Sequence, residues 1–179
     1  MVFREKEFQK DGAEYKVRFF DPESLTDLAG LKEITTSKGV RKWMTDIYGV
    51  KHKHYKMWMR EQGKHNEFLF AVADAKRVWG FVYIYPSELI RGRLEISYAK
   101  AENGPAGIMV KGVQNACKLV AEYIFDKRPG KKNPPIIIGE IERDNVPSIK
   151  VIGKAGFEQI RKFDEDDNGV WQLNWDLVK

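Results

Sequence analysis

Apolar positions change their spacing several times along the chain, and each change predicts an element. Tyr15–Phe20 alternates polar and apolar residues, the period of a strand. Asp21-Pro22-Glu23-Ser24 supplies turn and cap chemistry, and Leu25, Leu28, Leu31 and Ile34 then recur at helical spacing. Val40–Tyr48 and His54–Arg60 are further helical stretches, the second placing Tyr55, Trp58 and Met59 on one side. Phe68–Ala73 (FLFAVA) is a short, nearly continuous apolar run and predicts a buried strand. Val78–Tyr85, after the tight connection Asp74–Arg77, predicts its antiparallel partner. Arg93–Ala99 (RLEISYA) is the next strand.

A glycine-bearing loop, Glu102–Gly107 (ENGPAG), then opens directly into a long helical stretch, Ile108–Phe125. Arg128–Pro135 is a basic, proline-bearing loop, and Pro135–Ile141 has the β-rich composition of a central strand. Asp144–Lys154 predicts a short helix, capped by Asp144 or Asn145 and stopped near Gly156. Phe157–Phe163 and Val170–Leu177 are two last strands around the acidic loop Asp164–Gly169 (DEDDNG). This order predicts an α/β (mixed α+β) architecture: a mixed central β-sheet of about seven strands with helices on both faces. No repeat or linker divides the chain, so one domain is expected over 1–179, with a core from 13 to 178.

Composition narrows the function classes. A hydrophobic fraction of 42% and a charged fraction of 32% describe an ordered, soluble chain. The net charge of +5 is mild, and the basic clusters Lys51–Lys56 and Lys127–Lys132 come without an arginine-rich tail or zinc spacing. They read as a solvated surface, so nucleic acid is not the expected partner. A single cysteine, Cys117, excludes an internal disulfide. The charged N-terminus lacks a signal-peptide core, and no window approaches a membrane span. A cytoplasmic location is expected. His52 and His54 (HKH) lack a third ligand nearby, so no metal is expected.

Two segments carry chemistry. A helix N-terminus leaves backbone N–H groups unpaired and bears partial positive charge, and glycines before it let an anion approach the backbone. Gly104, Gly107 and the amides of Ile108 and Met109 are the candidates for such a cradle. No Gly-Lys-Ser/Thr follows, and the preceding strands form a hairpin and not a βαβ unit, which excludes a Walker loop and a dinucleotide fingerprint. The second segment is Asn145–Phe157 (NVPSIKVIGKAGF), which by itself reads as a capped amphipathic helix.

Together the two resemble the signatures of the GNAT (general amine N-acetyltransferase) superfamily. Asn145, Ser148 and the Gly156-Phe157 pair match the second signature, closest to the branch that acetylates protein N-termini, ribosomal proteins among them. ENGPAG resembles the first, Arg/Gln-x-x-Gly-x-Gly/Ala, with one contact replaced: Met109 stands in place of a small residue in one register, Ala101 in place of Arg or Gln in the other. The resemblance spans Phe68 to Leu177. It implies the acyl-CoA N-acyltransferase fold, acetyl-CoA as co-substrate, an amine acceptor (small molecule or peptide) and direct attack in a ternary complex; a homodimer is compatible with it.

The resemblance also implies roles. Gly104, Ala106, Gly107, Ile108, Met109, Asn145 and Ser148 would hold the coenzyme, with Lys100 or Lys111 compensating in charge. A backbone amide at Ala99 or Lys100 would donate to the thioester carbonyl. Ile152 stands where many members carry the tyrosine that reprotonates the thiolate, so Tyr98 becomes a candidate acid. Glu95, mid-strand between apolar neighbours, is the candidate base, directly or through water. The acidic loop Asp164–Asp167 would attract a cationic amine. Two other readings compete: a non-catalytic acyl-CoA-binding module, and a nucleic-acid-binding domain.

Overall fold

The computed structural model describes residues 4–44, 52–60, 64–130 and 132–178. Its elements run β1 (Lys6–Lys10), β2 (Ala13–Phe19), α1 (Leu25–Thr36), α2 (Lys38–Trp43), α3 (His52–Arg60), β3 (Phe68–Ala73), β4 (Val78–Pro86), β5 (Leu94–Lys100), α4 (Ile108–Lys127), β6 (Ile137–Glu142), α5 (Val146–Lys154), β7 (Phe157–Arg161) and β8 (Asn168–Leu173). A 3-10 turn follows at Trp175–Leu177. The part of the Val40–Tyr48 stretch beyond Met44 lies outside the described residues.

The strands form one sheet in the order β1-β2-β3-β4-β5-β6-β8-β7. Every neighbouring pair is antiparallel except β5 and β6. The sheet has eight strands and not seven, because β1 precedes the first strand expected. β1 extends the sheet back to Lys6. The last predicted strand is shorter than its apolar run: β8 ends at Leu173, and Trp175 turns back to donate its indole N–H to the Pro135 carbonyl at 3.0 Å.

The FLFAVA run is buried at every position because its two faces serve two cores. Phe68, Phe70 and Val72 pack with Val113, Ala116 and Val120 of α4. Leu69, Ala71 and Ala73 pack with Leu28, Leu31 and Ile34 of α1. Helices on opposite faces of a central strand explain why it reads as continuous and not alternating. Ser24 caps α1, accepting from the Asp27 N–H at 3.2 Å. Asp27 is fully buried and takes two bonds from the Arg18 guanidinium, at 2.6 and 2.9 Å, and one from the Asp21 N–H at 2.8 Å. This fixes α1, and the α2 segment after it, over one face of the sheet.

Candidate active site

Parallel strands β5 and β6 meet only at their N-terminal ends, where Leu94 faces Ile137 and Glu95 faces Ile138. Beyond these pairs the strands part. Gly139 lies at the fork: a Cβ there would come within 2.6 Å of Ile152 Cδ1 and 3.3 Å of Ile96 Cγ2. The missing tyrosine position is thus a fully buried apolar plug that closes the wedge from behind.

The open edge of β5 can be read from its ends. The Leu94 N–H goes to the Ile136 carbonyl at 3.0 Å, on the β6 side, and the Ala101 N–H to the Trp79 carbonyl at 2.8 Å, on the β4 side. The β4–β5 register is unbroken from Gly80–Lys100 to Pro86–Leu94. Successive N–H groups of an extended strand point to opposite edges. The N–H groups of Ile96, Tyr98 and Lys100 therefore face the wedge, and that of Ala99 faces β4.

The wedge is a cavity of about 360 Å³ roofed by Gly39, Val40, Trp43 and Met44. Tyr98, Ala99, Lys100, Gly107, Met109, Asn145 and Ser148 are in its walls; Gly104, Ala106 and Ile108 are not. Gly107 caps α4 with φ 78°, a left-handed geometry that glycine adopts without strain, and offers no side chain to the helix end. The N–H groups of Ile108 and Met109 find no backbone partner among the described residues. Lys100 donates to the Gly104 carbonyl, which folds the loop back over β5.

Asn145 caps α5, its side chain accepting from the Ser148 N–H at 3.3 Å. The Tyr98 hydroxyl donates to the Ser148 carbonyl at 2.7 Å and so ties β5 to the start of α5 across the wedge. Burial pushes its phenol well above the ordinary range.

A second, wider cleft of about 1580 Å³ joins the wedge at Trp43, Met44, Ser97, Glu140, Ile141 and Asn145. Its floor is a set of hydrogen-bonded side chains. Glu95 accepts from the Tyr85 hydroxyl and from the Ser87 hydroxyl, each at 3.0 Å. Tyr85 also lies 3.3 Å from Ser97 Oγ, so Glu95, Tyr85 and Ser97 form a connected chain ending at the junction of the two cavities. Tyr83 donates to Glu67 at 2.9 Å, stacks on Tyr85 with centroids 4.6 Å apart and meets Trp58 edge-on at 4.9 Å.

Glutamates at 67, 88, 95, 140 and 142 line this cleft, against the basic side chains Lys64, His54 and His65. A chain of net charge +5 has placed an acidic, aromatic cleft beside its wedge. Burial, and then the neighbouring Glu95, holds the Glu140 carboxyl above the usual carboxylate range.

The acidic loop is occupied elsewhere. Asp164 accepts from the Asp166 and Asn168 N–H groups and Asp167 pairs with Arg143 at 2.9 Å; of this loop only Asn168 reaches the cleft wall. Among the described residues no group of three or more His, Cys, Asp or Glu is placed to hold a metal ion, and no helix is long and apolar enough to cross a membrane. Tyr83, Tyr85, Ser87 and Glu67 went unrecognised in the sequence. For Tyr83 and Tyr85 the signal is their alternate spacing in VWGFVYIY, which puts both on one face of a strand; Ser87 and Glu67 lie outside that run.

The geometry has counterparts among known proteins. The family model described as an acetyltransferase (GNAT) domain matches residues 17–158. Among solved structures, ribosomal-protein-S5-alanine acetyltransferase from Vibrio fischeri superposes with a TM-score of 0.64 at 18% identity, over 97% of this chain and 99% of that one. YncA from Salmonella typhimurium, a putative acetyltransferase solved with acetyl-CoA, superposes at 0.60 and 15% identity, over 89% and 93%. A chimera of spermidine N-acetyltransferase SpeG from Vibrio cholerae and hSSAT superposes at 0.68 and 12% identity, over 92% of this chain and 97% of that one. A search of curated proteins returned no match. The structural likenesses establish the fold, and the family match over most of its length shows that this chain belongs to the GNAT family of acetyl-CoA-dependent N-acetyltransferases.

Proposed function

We propose that the chain acetylates a primary amine on a small, cationic acceptor, with acetyl-CoA in the wedge and the amine in the acidic cleft. The observation that carries this reading is the junction of the two cavities at Ser97, the end of the chain Ser97–Tyr85–Glu95. One sheet drawing on residues 6 to 173 supports treating 1–179 as a single catalytic domain.

The residues present fit the co-substrate. The uncapped amides after Gly107 suit a pyrophosphate, and the unpaired edge of β5 suits the amide-bearing pantetheine arm. Acetyl-CoA supplies the activated acyl group; the chain must hold it, polarise its carbonyl and take a proton from the amine. Of the two amides that motif counting leaves open, Lys100 is turned to the wedge and Ala99 to β4. Lys100, with Tyr98 next along the same edge, is therefore the donor assigned here.

The attacking amine arrives protonated and must lose its proton. Ser97 Oγ can accept it and hand its own hydroxyl proton to the Tyr85 oxygen as Tyr85 passes its proton to Glu95, so the carboxylate acts as base through two hydroxyls. Tyr98 lines the wedge as well, but its proton is directed to Ser148 and its phenol is held in the neutral form by burial. Reprotonation of the leaving thiolate through Tyr98 would require that bond to open.

The cleft's excess of carboxylates over basic groups, with Trp58, Tyr83 and Tyr85 beside them, supports an acceptor carrying more than one positive charge. An acetyl-CoA turnover assay across polyamines, aminoglycosides, basic peptides and neutral amino acids tests the proposal. Turnover confined to the cationic members is expected. Turnover of none, with coenzyme binding intact, would replace the enzyme with an acyl-CoA-binding module.

A further inference from the structure

All of β1, the turn after it and the first half of β2 lie before residue 17, where the family match begins. Its tip is a two-residue turn, Asp11-Gly12, with both residues at positive φ (51° and 79°), the geometry that lets two strands close tightly. Lys10 pairs with Ala13 across this turn. The turn brings the Lys10 side chain to the N-terminus of α4: a Cβ on Gly107 would lie 3.4 Å from Lys10 Cε.

A cation is misplaced there. The N-terminal end of a helix carries partial positive charge and favours acidic neighbours. Yet α4, 20 residues long, has no acidic residue in its first turn and no side-chain cap. Lys111 lies in that turn, and Lys100 is tied to the loop before it. The counter-charge Lys10 has is Asp11, its exposed neighbour on the turn, at 2.6 Å. Lys10, Lys100 and two unpaired amides thus meet at this helix end, with Lys111 on its first turn, where a doubly charged anion would resolve the repulsion. The loop also lacks one contact that the family's first signature provides, and Lys100, one of the two lysines considered as its replacement, is spent on Gly104.

We propose that Lys10, from a hairpin outside the family's matched core, is a binding residue for the coenzyme A pyrophosphate. In it the chain regains from β1 the charge that its glycine loop has lost. This rests on acetyl-CoA occupying the wedge.

The test is calorimetric titration with CoA, which needs no turnover. Lys10→Ala should weaken CoA about five- to tenfold, Lys10→Glu more, and Lys10→Arg less than about twofold. Lys6→Ala, on the same strand but paired with Glu122 at 2.6 Å, should leave CoA affinity unchanged. With 3′-dephospho-CoA the Lys10→Ala loss should be just as large, since the pyrophosphate remains. The unliganded melting temperature of Lys10→Ala should match the wild type, because the side chain holds no buried contact. A loss that vanishes with 3′-dephospho-CoA would move Lys10 to the other phosphate and overturn the assignment. CoA affinity unaltered by Lys10→Ala would overturn it too, with wild-type binding left standing. A wild-type chain that binds no CoA would instead remove the functional reading beneath it.

Discussion

The wedge between β5 and β6 is shaped largely by backbone, whereas the cleft beside it is shaped by side chains. In the wedge the working groups are strand N–H groups, a glycine at φ 78° and the first amides of a helix. In the cleft they are carboxylates and phenols delivered by β4, β5, β6 and the segments just before β3 and just after β4, with Trp58 from α3 beside them. The difference follows from what each must bind. A coenzyme that does not vary can be held by backbone, which tolerates sequence change. An acceptor that differs from one enzyme to the next must be selected by side chains, which do not. The two should therefore fail separately when mutated.

The largest separation is expected from Glu95→Gln. The amide cannot accept a proton through Tyr85, so kcat should fall about 10²- to 10³-fold. CoA affinity by titration should be unchanged, because Glu95 lies in the wall of the cleft and not of the wedge. Loss of both together would show that the two sites are not independent and would break the comparison.

Gly107→Val should do the reverse. A β-branched side chain at φ 78° is strained by about 1–3 kcal/mol and crowds the amides after it. Coenzyme affinity should fall about tenfold or more, read as CoA Kd, while the KM for the amine at saturating acetyl-CoA stays within about twofold. A change in amine KM of the same size would show that the loop also shapes the acceptor side.

The same division explains what could be read from the chain before its structure. FLFAVA, the ENGPAG loop running into α4, and NVPSIKVIGKAGF are contiguous, and their spacing alone places them. Glu95 was legible as a candidate, because a carboxylate between apolar neighbours in a strand calls for a reason. Its partners were not. Tyr85 meets Glu95 through the β4–β5 register, and Glu67 meets Tyr83 across a loop and a hairpin; neither pairing leaves a mark in local spacing. The first hairpin did carry a signal. Asp11-Gly12 is a strong two-residue turn, but β1 is five residues long with charged positions at each end, so its apolar period is too short to stand out. The acidic loop is the opposite case: four adjacent charges suggest a site, yet Asp164 caps its own turn and pairs with Arg161, and Asp167 pairs with Arg143.

Tyr98→Phe probes a side chain that reaches across the wedge to α5. Removing the bond to Ser148 leaves a carbonyl at the start of α5 without that donor, at a cost of about 1 kcal/mol. If Tyr98 is a strut, kcat should change less than about threefold and the melting temperature should fall by about 2–4 °C. A kcat loss of 30-fold or more with little change in stability would make it the acid for the thiolate.

The smallest expected effect is at Glu140, which belongs to both walls. Its carboxyl is held above the ordinary value of 4.5 by burial first, then by Glu95, and also by Asp164, against the pull of Arg161. A carboxyl whose folded pKa is raised contributes fully to stability below the unfolded value and loses that contribution as pH rises through the folded one. Glu140→Gln removes the charge at every pH. The variant should therefore melt with the wild type near pH 4 and slightly above it at pH 7. Solvent screening of this partly exposed group limits the gain to about 0.5 kcal/mol, or about 1–2 °C. Arg161 is not stranded by the change, because Asp164 holds it at 3.2 Å. Should the variant instead melt lower at pH 7, the Arg161 pair would outweigh burial and the repulsion from Glu95. Glu140 would then be a fastener of β6 to β7, and the acidic character of the cleft would rest on the remaining carboxylates.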